Sequence, residues 1–110
     1  MNKLNICIAG SHSFENYVIL SNIVNEIASG LDKFALTFIS GNARGADSLD
    51  ERYAKEHGFD LEIYPANWKK YGKEAGFIRN NKMASISDVL IAFWDGKSHG
   101  TNDMIKKCLI

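Results

Sequence analysis

Three short loops of this chain combine glycine with polar residues that can hold a small anion. They read Gly10-Ser11-His12, then Gly41-Asn42-Ala43-Arg44-Gly45-Ala46-Asp47, then Asp95-Gly96-Lys97-Ser98-His99-Gly100-Thr101. Glycine allows backbone N–H groups to approach a phosphate closely, and a helix that begins after such a loop adds unpaired N–H groups and the positive end of its dipole. The pattern predicts a phosphate or a similar anion as ligand.

The last of these loops is the strongest candidate for a phosphate site. Gly96, Ser98, Gly100 and Thr101 follow an apolar run and precede a helical pattern. The residue order is not that of a Walker loop, because GxxxxGK[ST] is missing. A tight strand-to-helix turn capped by Thr101 is the structural alternative. Asp95, before these residues, is expected either to bind a ribose hydroxyl or to cap the loop.

The second loop places one arginine between two glycines. The planar guanidinium group of Arg44 suits a phosphate or a carboxylate, and Gly41 and Gly45 leave room for either. An ion pair between Arg44 and Asp47 that only stiffens the loop is the alternative. The sequence therefore leaves open whether Arg44 contacts a ligand.

Two further pairs of polar residues are candidates for the same site. Ser11 and His12 can donate to a phosphate, although His12 is equally well explained as an exposed loop residue. Arg79 and Asn80 lie in a segment rich in aromatic and basic residues, next to an apolar stripe. A buried guanidinium group needs an anionic partner, which is either a protein carboxylate or the ligand.

The elements that must position these loops alternate regularly along the chain. Apolar runs predict strands at Leu4–Ala9, Ala35–Ser40, Leu61–Tyr64 and Val89–Trp94. Apolar spacings of three and four predict helices over Tyr17–Leu31, Ala46–His57 and Lys73–Ile86, and one from Asn102 onward. This order predicts a single-domain, three-layer α/β/α fold with a mostly parallel sheet of four to five strands. Ligands of such sheets bind beyond the carboxyl ends of the strands, where the three loops lie.

The amino-acid composition limits the classes of partner that this chain is expected to bind. The 110 residues predict one domain over residues 1–110, with ordinary shares of hydrophobic (45%) and charged (24%) residues. Thirteen basic residues balance thirteen acidic ones, which argues against broad binding of nucleic acid or an anionic membrane but not against a small anion held by local donors. No apolar run is long enough to predict a membrane span.

The cysteines and the known catalytic motifs predict neither a metal site nor a hydrolytic triad. Cys7 and Cys108 lie near opposite ends of the chain, without a CxxC motif or a Cys/His cluster at zinc spacing. Two separated free thiols are typical of a reducing compartment, so the predicted location is the cytoplasm. Neither a GxSxG elbow nor an HExxH motif occurs.

Five sequence blocks carry a family resemblance that covers nearly the whole chain. ICIAGSHSF, SGNARGADSLDERYAKEHG, YPANWKKYGKEAGFIRNNKM, ISDVLIAFWDGKSHGT and the late DMI occur in the order found in the YspA-type branch of the SLOG superfamily, which is named for the Smf/DprA and LOG proteins. The resemblance implies a Rossmann-like fold and a ligand that is a nucleotide or derived from one, such as an ADP-ribose or NAD relative or a cyclic nucleotide signal. The WDGKSHGT block resembles members from bacteriophages.

The resemblance also implies which residues contact the ligand, namely Gly10, Ser11, Gly41, Arg44, Gly45, Asp47, Arg79, Asn80, Gly100 and Thr101. The loops themselves add His12, Asn42, Asp95, Gly96 and Ser98 to the expected ligand-binding residues. Two positions depart from the family pattern. His12 stands where the family often has arginine, which removes a permanent charge, and Asn42 stands where glycine is common.

A third departure concerns catalysis. The related LOG enzymes cleave nucleoside monophosphates between base and ribose phosphate, and they carry a glutamate three residues after the Gly-Thr pair. This chain has Met104 there, and a thioether cannot replace a carboxylate as base. Asp103 lies one residue earlier, about 100° away around a helix. The resemblance therefore favours a sensor or sequestering protein that binds its ligand without cleaving it.

Two other functions are also considered, and a homo-oligomer is expected with any of them. A nucleoside-phosphate N-glycosidase would use Arg79 with Asp103 or Asp47 as the carboxylate. Binding of single-stranded nucleic acid would use the basic and aromatic residues Trp68, Lys69, Lys70, Tyr71 and Lys73. Relatives form dimers or larger assemblies, and exposed sheet edges need protection, so a homo-oligomer is expected.

Overall fold

In the computed structural model, which describes residues 2–43 and 45–108, strands and helices alternate as predicted. The strands are β1 (Asn2–Gly10), β2 (Phe34–Ser40), β3 (Asp60–Ile63) and β4 (Val89–Phe93). The helices are α1 (Tyr17–Ser29), α2 (Ala46–Glu56), α3 (Trp68–Tyr71), α4 (Ala75–Ile86) and α5 (His99–Cys108), with a 3₁₀ turn at Gly72–Glu74.

The four strands form one parallel sheet in the order β3-β2-β1-β4. The α/β, Rossmann-like fold class is therefore confirmed, with four strands that are all parallel. The chain moves outward from β1 through β2 to β3 and then returns to add β4 on the other side of β1. The carboxyl ends of β1 and β4 consequently form the topological switch point, the usual ligand crevice of such sheets.

Each face of the sheet is covered by a pair of helices. On one face, α1 and α2 bury a core of Ile6, Ile8, Leu20, Val24, Leu36, Phe38, Tyr53, Ala54 and Ile91. On the other face, α4 and α5 pack Met83 and Met104 against Cys7, Ala9 and Ile39. Neighbouring side chains of a strand point to opposite faces, so burial on both faces explains the nearly continuous apolar runs of β1 and β2.

The element boundaries differ from the prediction where caps interrupt a periodic pattern. The predicted helix over Lys73–Ile86 begins later, at Ala75, because Lys73 and Glu74 belong to the 3₁₀ turn. The short helix α3 precedes that turn; its N-cap Asn67 accepts from the Lys70 N–H at 3.1 Å, and Gly72, at φ 59°, ends it. The last helix begins earlier than predicted, at His99 instead of Asn102.

Three side chains lie in environments that the pattern did not predict. Ile23, at one of the apolar spacings within the predicted helix Tyr17–Leu31, is 38% exposed, whereas Leu20 and Val24 are buried. Trp94, the last residue of the predicted apolar strand, is 43% exposed and donates its indole N–H to the Ser98 carbonyl at 2.9 Å. Asp50 was not expected inside the protein, yet it is fully buried on α2.

Both cysteines are free thiols in different surroundings. Cys7 is buried in the middle of β1, and Cys108 is half-buried at the end of α5. Burial, which has the largest effect, raises the pKa of the Cys7 thiol far above its ordinary value. Within the described part of the chain, no helix combines the length and the apolar character needed to cross a membrane.

Candidate functional site

The loops at the carboxyl ends of the strands enclose a groove of about 590 Å³, which we call the outer groove. It is lined by His12, Gly41, Asn42, Ala43, Pro65, Ala66, Trp68, Lys73, Gly76, Phe77, Arg79, Asn80, Ser98 and Gly100. A narrower extension of about 50 Å³, the inner cleft, adds Ala9, Gly10, Asp47, Met83, Thr101 and Met104. The two spaces share several walls, so they form one continuous site.

Most of the residues expected to contact a ligand line this site. Gly10, His12, Gly41, Asn42, Asp47, Arg79, Asn80, Ser98, Gly100 and Thr101 face the outer groove, the inner cleft or both. Ser11, Gly45, Asp95 and Gly96 are not among the lining residues. Arg44 lies outside the described residues, so the structure assigns it no partner.

Ser11 and Asp95 shape the site from behind its wall. The Ser11 N–H donates to the Phe93 carbonyl, and the Ser11 hydroxyl accepts from the Asp95 N–H, each at 3.1 Å. Asp95 then accepts from the N–H groups of Lys97 and Ser98 at 2.8 Å each, and these bonds hold its pKa below the ordinary value. Of the two interpretations of Asp95, the structure thus shows the loop cap.

Glycines let the first two loops touch through their backbones. Gly45 has φ +76°, and a Cβ atom there would lie 2.2 Å from the Ser11 carbonyl oxygen. A Cβ atom on Gly10 would lie 2.6 Å from the Ala46 Cβ and 2.7 Å from the Phe93 carbonyl oxygen. No larger residue fits either position without moving backbone, which explains why glycine stands there.

Arg79 connects helix α4 to the loop that follows β2. Its Nη1 donates to the Gly41 carbonyl, and its Nε donates to the Asn80 side-chain oxygen at 2.9 Å. Among the described residues, Arg79 forms no ion pair, but its charge lowers the pKa of the nearby Asp47 carboxyl. Neutral acceptors therefore orient Arg79 and leave part of its charge directed at the site.

Asp47 places a carboxyl group in the inner cleft. It is 7% exposed, and burial raises its pKa from 3.8 to about 6. The Ala43 N–H, which donates to Oδ2 at 3.2 Å, and the charge of Arg79 oppose that rise. Near neutral pH, a group of this kind can exchange a proton with a ligand.

Asp103 is occupied by neighbouring donors. Its Oδ2 accepts from the Lys107 ammonium at 2.6 Å and from the Asn80 amide at 3.2 Å. The same amide group donates to the Gly100 carbonyl at 3.2 Å. Asp103 lines neither the outer groove nor the inner cleft, whereas the buried Met104 lines the cleft. The carboxylate proposed to replace the missing glutamate therefore helps to hold α5 against α4.

Sequence reasoning missed Phe77 and Asp50 and named Trp68 only for the alternative of single-stranded nucleic-acid binding. Trp68 and Phe77 form walls of the outer groove, and the signal for them was the aromatic content of their segment. Asp50 is buried behind the site, and no described residue gives either carboxylate oxygen a hydrogen bond. Burial raises its pKa well above 3.8, and the Ile8 N–H, which falls short of hydrogen-bonding geometry, offsets this only in part.

The side chains of residues 2–43 and 45–108 form no cluster that could bind a metal ion. No three His, Cys, Asp or Glu residues there are arranged to hold an ion. The polar groups of the site are instead amides, hydroxyls, the His12 imidazole, the Lys73 ammonium, one guanidinium and one carboxyl. Such a set suits an organic anion.

Comparison with known proteins gives one family and one relative. The model of the YspA, cpYpsA-related SLOG family matches residues 4–71, which include the loops after β1 and β2. The Gene 61 protein of Mycobacterium phage D29 is 36% identical over 80 residues, which cover 67% of this chain and 64% of that protein. The chain thus spans less than two thirds of this relative's length. No solved structure matches the chain.

Proposed function

The chain belongs to the YspA, cpYpsA-related SLOG family, and from this premise we propose that it binds a nucleotide or a nucleotide-derived small molecule in the outer groove and inner cleft. Family membership alone indicates nucleotide-related binding or a LOG-like activity. The finer proposal is an ADP-ribose or NAD relative, or a cyclic nucleotide, held by a protein that senses or sequesters it. The similarity to a phage protein agrees with the resemblance of the WDGKSHGT block to bacteriophage members.

One observation carries the proposal, namely the convergence of anion-binding groups on the inner cleft. Gly10, Ser98, Gly100, Thr101 and the Arg79 guanidinium all line it. The hydroxyls of Ser98 and Thr101 lie 3.3 Å apart at the beginning of α5, a helix of ten residues. The first N–H groups of a helix lack partners within the helix, and its dipole favours negative charge there. A phosphate group in the cleft would meet all of these donors.

The residues at and beside the position of the missing glutamate favour binding without cleavage. Met104 supplies no carboxylate to the cleft, and Asp103 is engaged by Lys107 and Asn80. A sensor or a sequestering protein needs neither group. We therefore propose retention of an intact ligand.

Hydrolysis is the second candidate, and Asp47 is the observation that favours it. This carboxyl group lines the cleft with a pKa raised to about 6, within range of the positive charge of Arg79. An N-glycosidase could use such a pair to stabilise a positively charged sugar centre and to hold the phosphate.

A direct test begins with the ligand itself. Native mass spectrometry of the protein purified from cells, followed by denaturation, identifies any bound small molecule and the oligomeric state together. Calorimetric titration with AMP, ADP-ribose, NAD and cyclic AMP then measures affinity. Arg79→Ala and Thr101→Val should weaken binding at least about tenfold, the usual loss for one charged or hydroxyl contact.

Arg52→Ala is the matched control, because Arg52 lies on α2 with its side chain paired to Glu56 and far from the lining residues. Unchanged affinity in folded Arg79 and Thr101 variants would contradict the proposed site. Chromatography of the same nucleotides after long incubation separates the two candidates. Turnover that Asp47→Asn abolishes would establish hydrolysis.

Three expectations from the sequence accompany this proposal. We propose that residues 1–110 act as one domain, that copies of the chain associate, and that the protein works in the cytoplasm. Sedimentation at several concentrations tests the association, with a single monomeric species as the contrary result.

A further inference from the structure

Two large aromatic side chains face the outer groove without cover. Trp68 is 60% exposed and Phe77 is 45% exposed, and both line the groove. Tyr71, on the same short helix as Trp68, is also exposed but lies on a neighbouring surface. Exposed aromatic rings that share a concave site are typical of ligand recognition, because a flat ligand can cover their faces.

Gly76 brings the indole of Trp68 close to the guanidinium of Arg79. A Cβ atom on Gly76 would lie 3.5 Å from Cη2 of Trp68 and 3.7 Å from Nη2 of Arg79. Gly76, which has no side chain, therefore lies beside both the aromatic wall and the charged group. A ligand with a flat ring and an attached anion could contact both at once.

The aromatic residues of the site line the outer groove and not the inner cleft. The inner cleft, of about 50 Å³, carries the hydroxyls of Ser98 and Thr101 and is large enough for little more than one phosphate-sized group. The outer groove, of about 590 Å³, has Pro65, Trp68 and Phe77 along its wall. A sugar phosphate alone would occupy the cleft and leave the aromatic wall exposed.

Resting on the proposed function, we propose that the outer groove is a nucleobase subsite in which Trp68 and Phe77 stack against the base of a ligand whose phosphate occupies the inner cleft. This subsite would select ligands that retain the base and would discriminate against ribose phosphates, which lack it. Stacking on an aromatic side chain tolerates any base, so the subsite selects for a base and only weakly among bases.

The test compares a nucleotide with the same molecule without its base. AMP and ribose 5-phosphate are titrated against the wild type, Trp68→Ala, Trp68→Phe and Phe77→Ala, with Tyr71→Ala as the matched aromatic control. The wild type should bind AMP on the order of tenfold more tightly than ribose 5-phosphate. Trp68→Ala and Phe77→Ala should each reduce that preference, Trp68→Phe should keep most of it, and Tyr71→Ala should keep all of it.

Tryptophan fluorescence gives a second readout. AMP should quench the wild-type emission, ribose 5-phosphate should not, and Trp68→Phe should remove the response. An equal loss of affinity for both molecules in Trp68→Ala, or an unchanged preference in both alanine variants, would overturn the subsite while leaving the proposed function intact. Failure of the wild type to bind AMP, ADP-ribose, NAD or cyclic AMP would overturn both.

Discussion

Arg79 on α4 donates a hydrogen bond to the carbonyl group of Gly41, which lies 38 positions away in the sequence. The bond joins the loop after β2 to the helix that covers the other side of the groove. Because Arg79 also donates to Asn80, and Asn80 donates to the Gly100 carbonyl, three separate segments share one network. Positions in this network should therefore affect ligand affinity more than stability.

Gly41→Ala tests that expectation. The added Cβ atom would lie 2.7 Å from Nη1 of Arg79 and 2.9 Å from Oδ2 of Asp47, which are the ends of flexible side chains. Since both can move, we expect the free energy of unfolding to fall by only about 1 kcal/mol. Displacing the guanidinium should weaken nucleotide binding on the order of tenfold. Denaturant unfolding and calorimetry measure the two effects, and a large stability loss with unchanged affinity would be the contrary result.

Gly45→Ala should be far more damaging than Gly58→Ala. Both glycines have positive φ, +76° and +70°, but a Cβ atom on Gly45 would lie 2.2 Å from the Ser11 carbonyl oxygen, whereas nothing lies within 4 Å at Gly58. Gly58→Ala should cost about 1 kcal/mol from backbone strain alone. Gly45→Ala should cost about 3 kcal/mol or more, because backbone must move. Equal midpoints of chemical unfolding would contradict the close contact of the two loops.

Asp47→Asn should flatten the pH dependence of stability. The pKa of Asp47 is raised from 3.8 to about 6 in the folded protein, so the folded state holds the proton more tightly than the unfolded state. The stabilisation linked to this group is complete below pH 3.8 and is lost as the pH rises to about 6. Asparagine still offers an oxygen to the Ala43 N–H.

At pH 7 the variant should be more stable than the wild type by up to about 3 kcal/mol, and at pH 4 the gain should largely vanish. Urea unfolding from pH 4 to pH 8 measures the difference. A difference that stays constant across this range would show that the carboxyl group does not titrate as described.

Asp50→Asn, like Asp47→Asn, should flatten the pH dependence of stability. Asp50 is fully buried without a hydrogen bond from any described residue, and burial raises its pKa well above 3.8. Its contribution to stability is therefore present at low pH and is lost as the pH rises through the raised pKa. The variant should lose less stability than the wild type between acidic and alkaline pH. Asp60→Asn, at an exposed position, is the control and should leave the profile unchanged.

Lys107→Met should weaken the contact between α4 and α5. Lys107 donates to Asp103 at 2.6 Å and to the Phe77 carbonyl at 3.0 Å, with both charged side chains 22% exposed. Loss of a partly buried pair and of a bond to a carbonyl should lower the free energy of unfolding by about 1 kcal/mol. Lys106→Met, on an exposed position of the same helix, is the matched control. An equal effect of the two substitutions on the melting temperature would contradict the bracing role.

Much of the fold is encoded locally and could be predicted. The alternation of apolar runs and helical spacings led to the parallel sheet, and the strands were located to within two residues at each end. In such folds the strands are parallel, so the loops at their carboxyl ends lie at one edge of the sheet. Gly10, Gly41 and Thr101 could therefore be assigned to a common site. The family blocks predicted the family that the comparison found.

The contacts that define the site depend on residues distant in sequence, and only the tertiary structure decided them. Local patterns cannot show that Arg79 meets Gly41, or that Ser11 and Asp95 bind each other behind the wall of the site. Nor could polarity predict the burial of Asp50, because a charged residue is normally expected at the surface. Residue types and spacing determined the sheet and its glycine loops. Packing of the two helix pairs on the sheet decided which side chains face the groove.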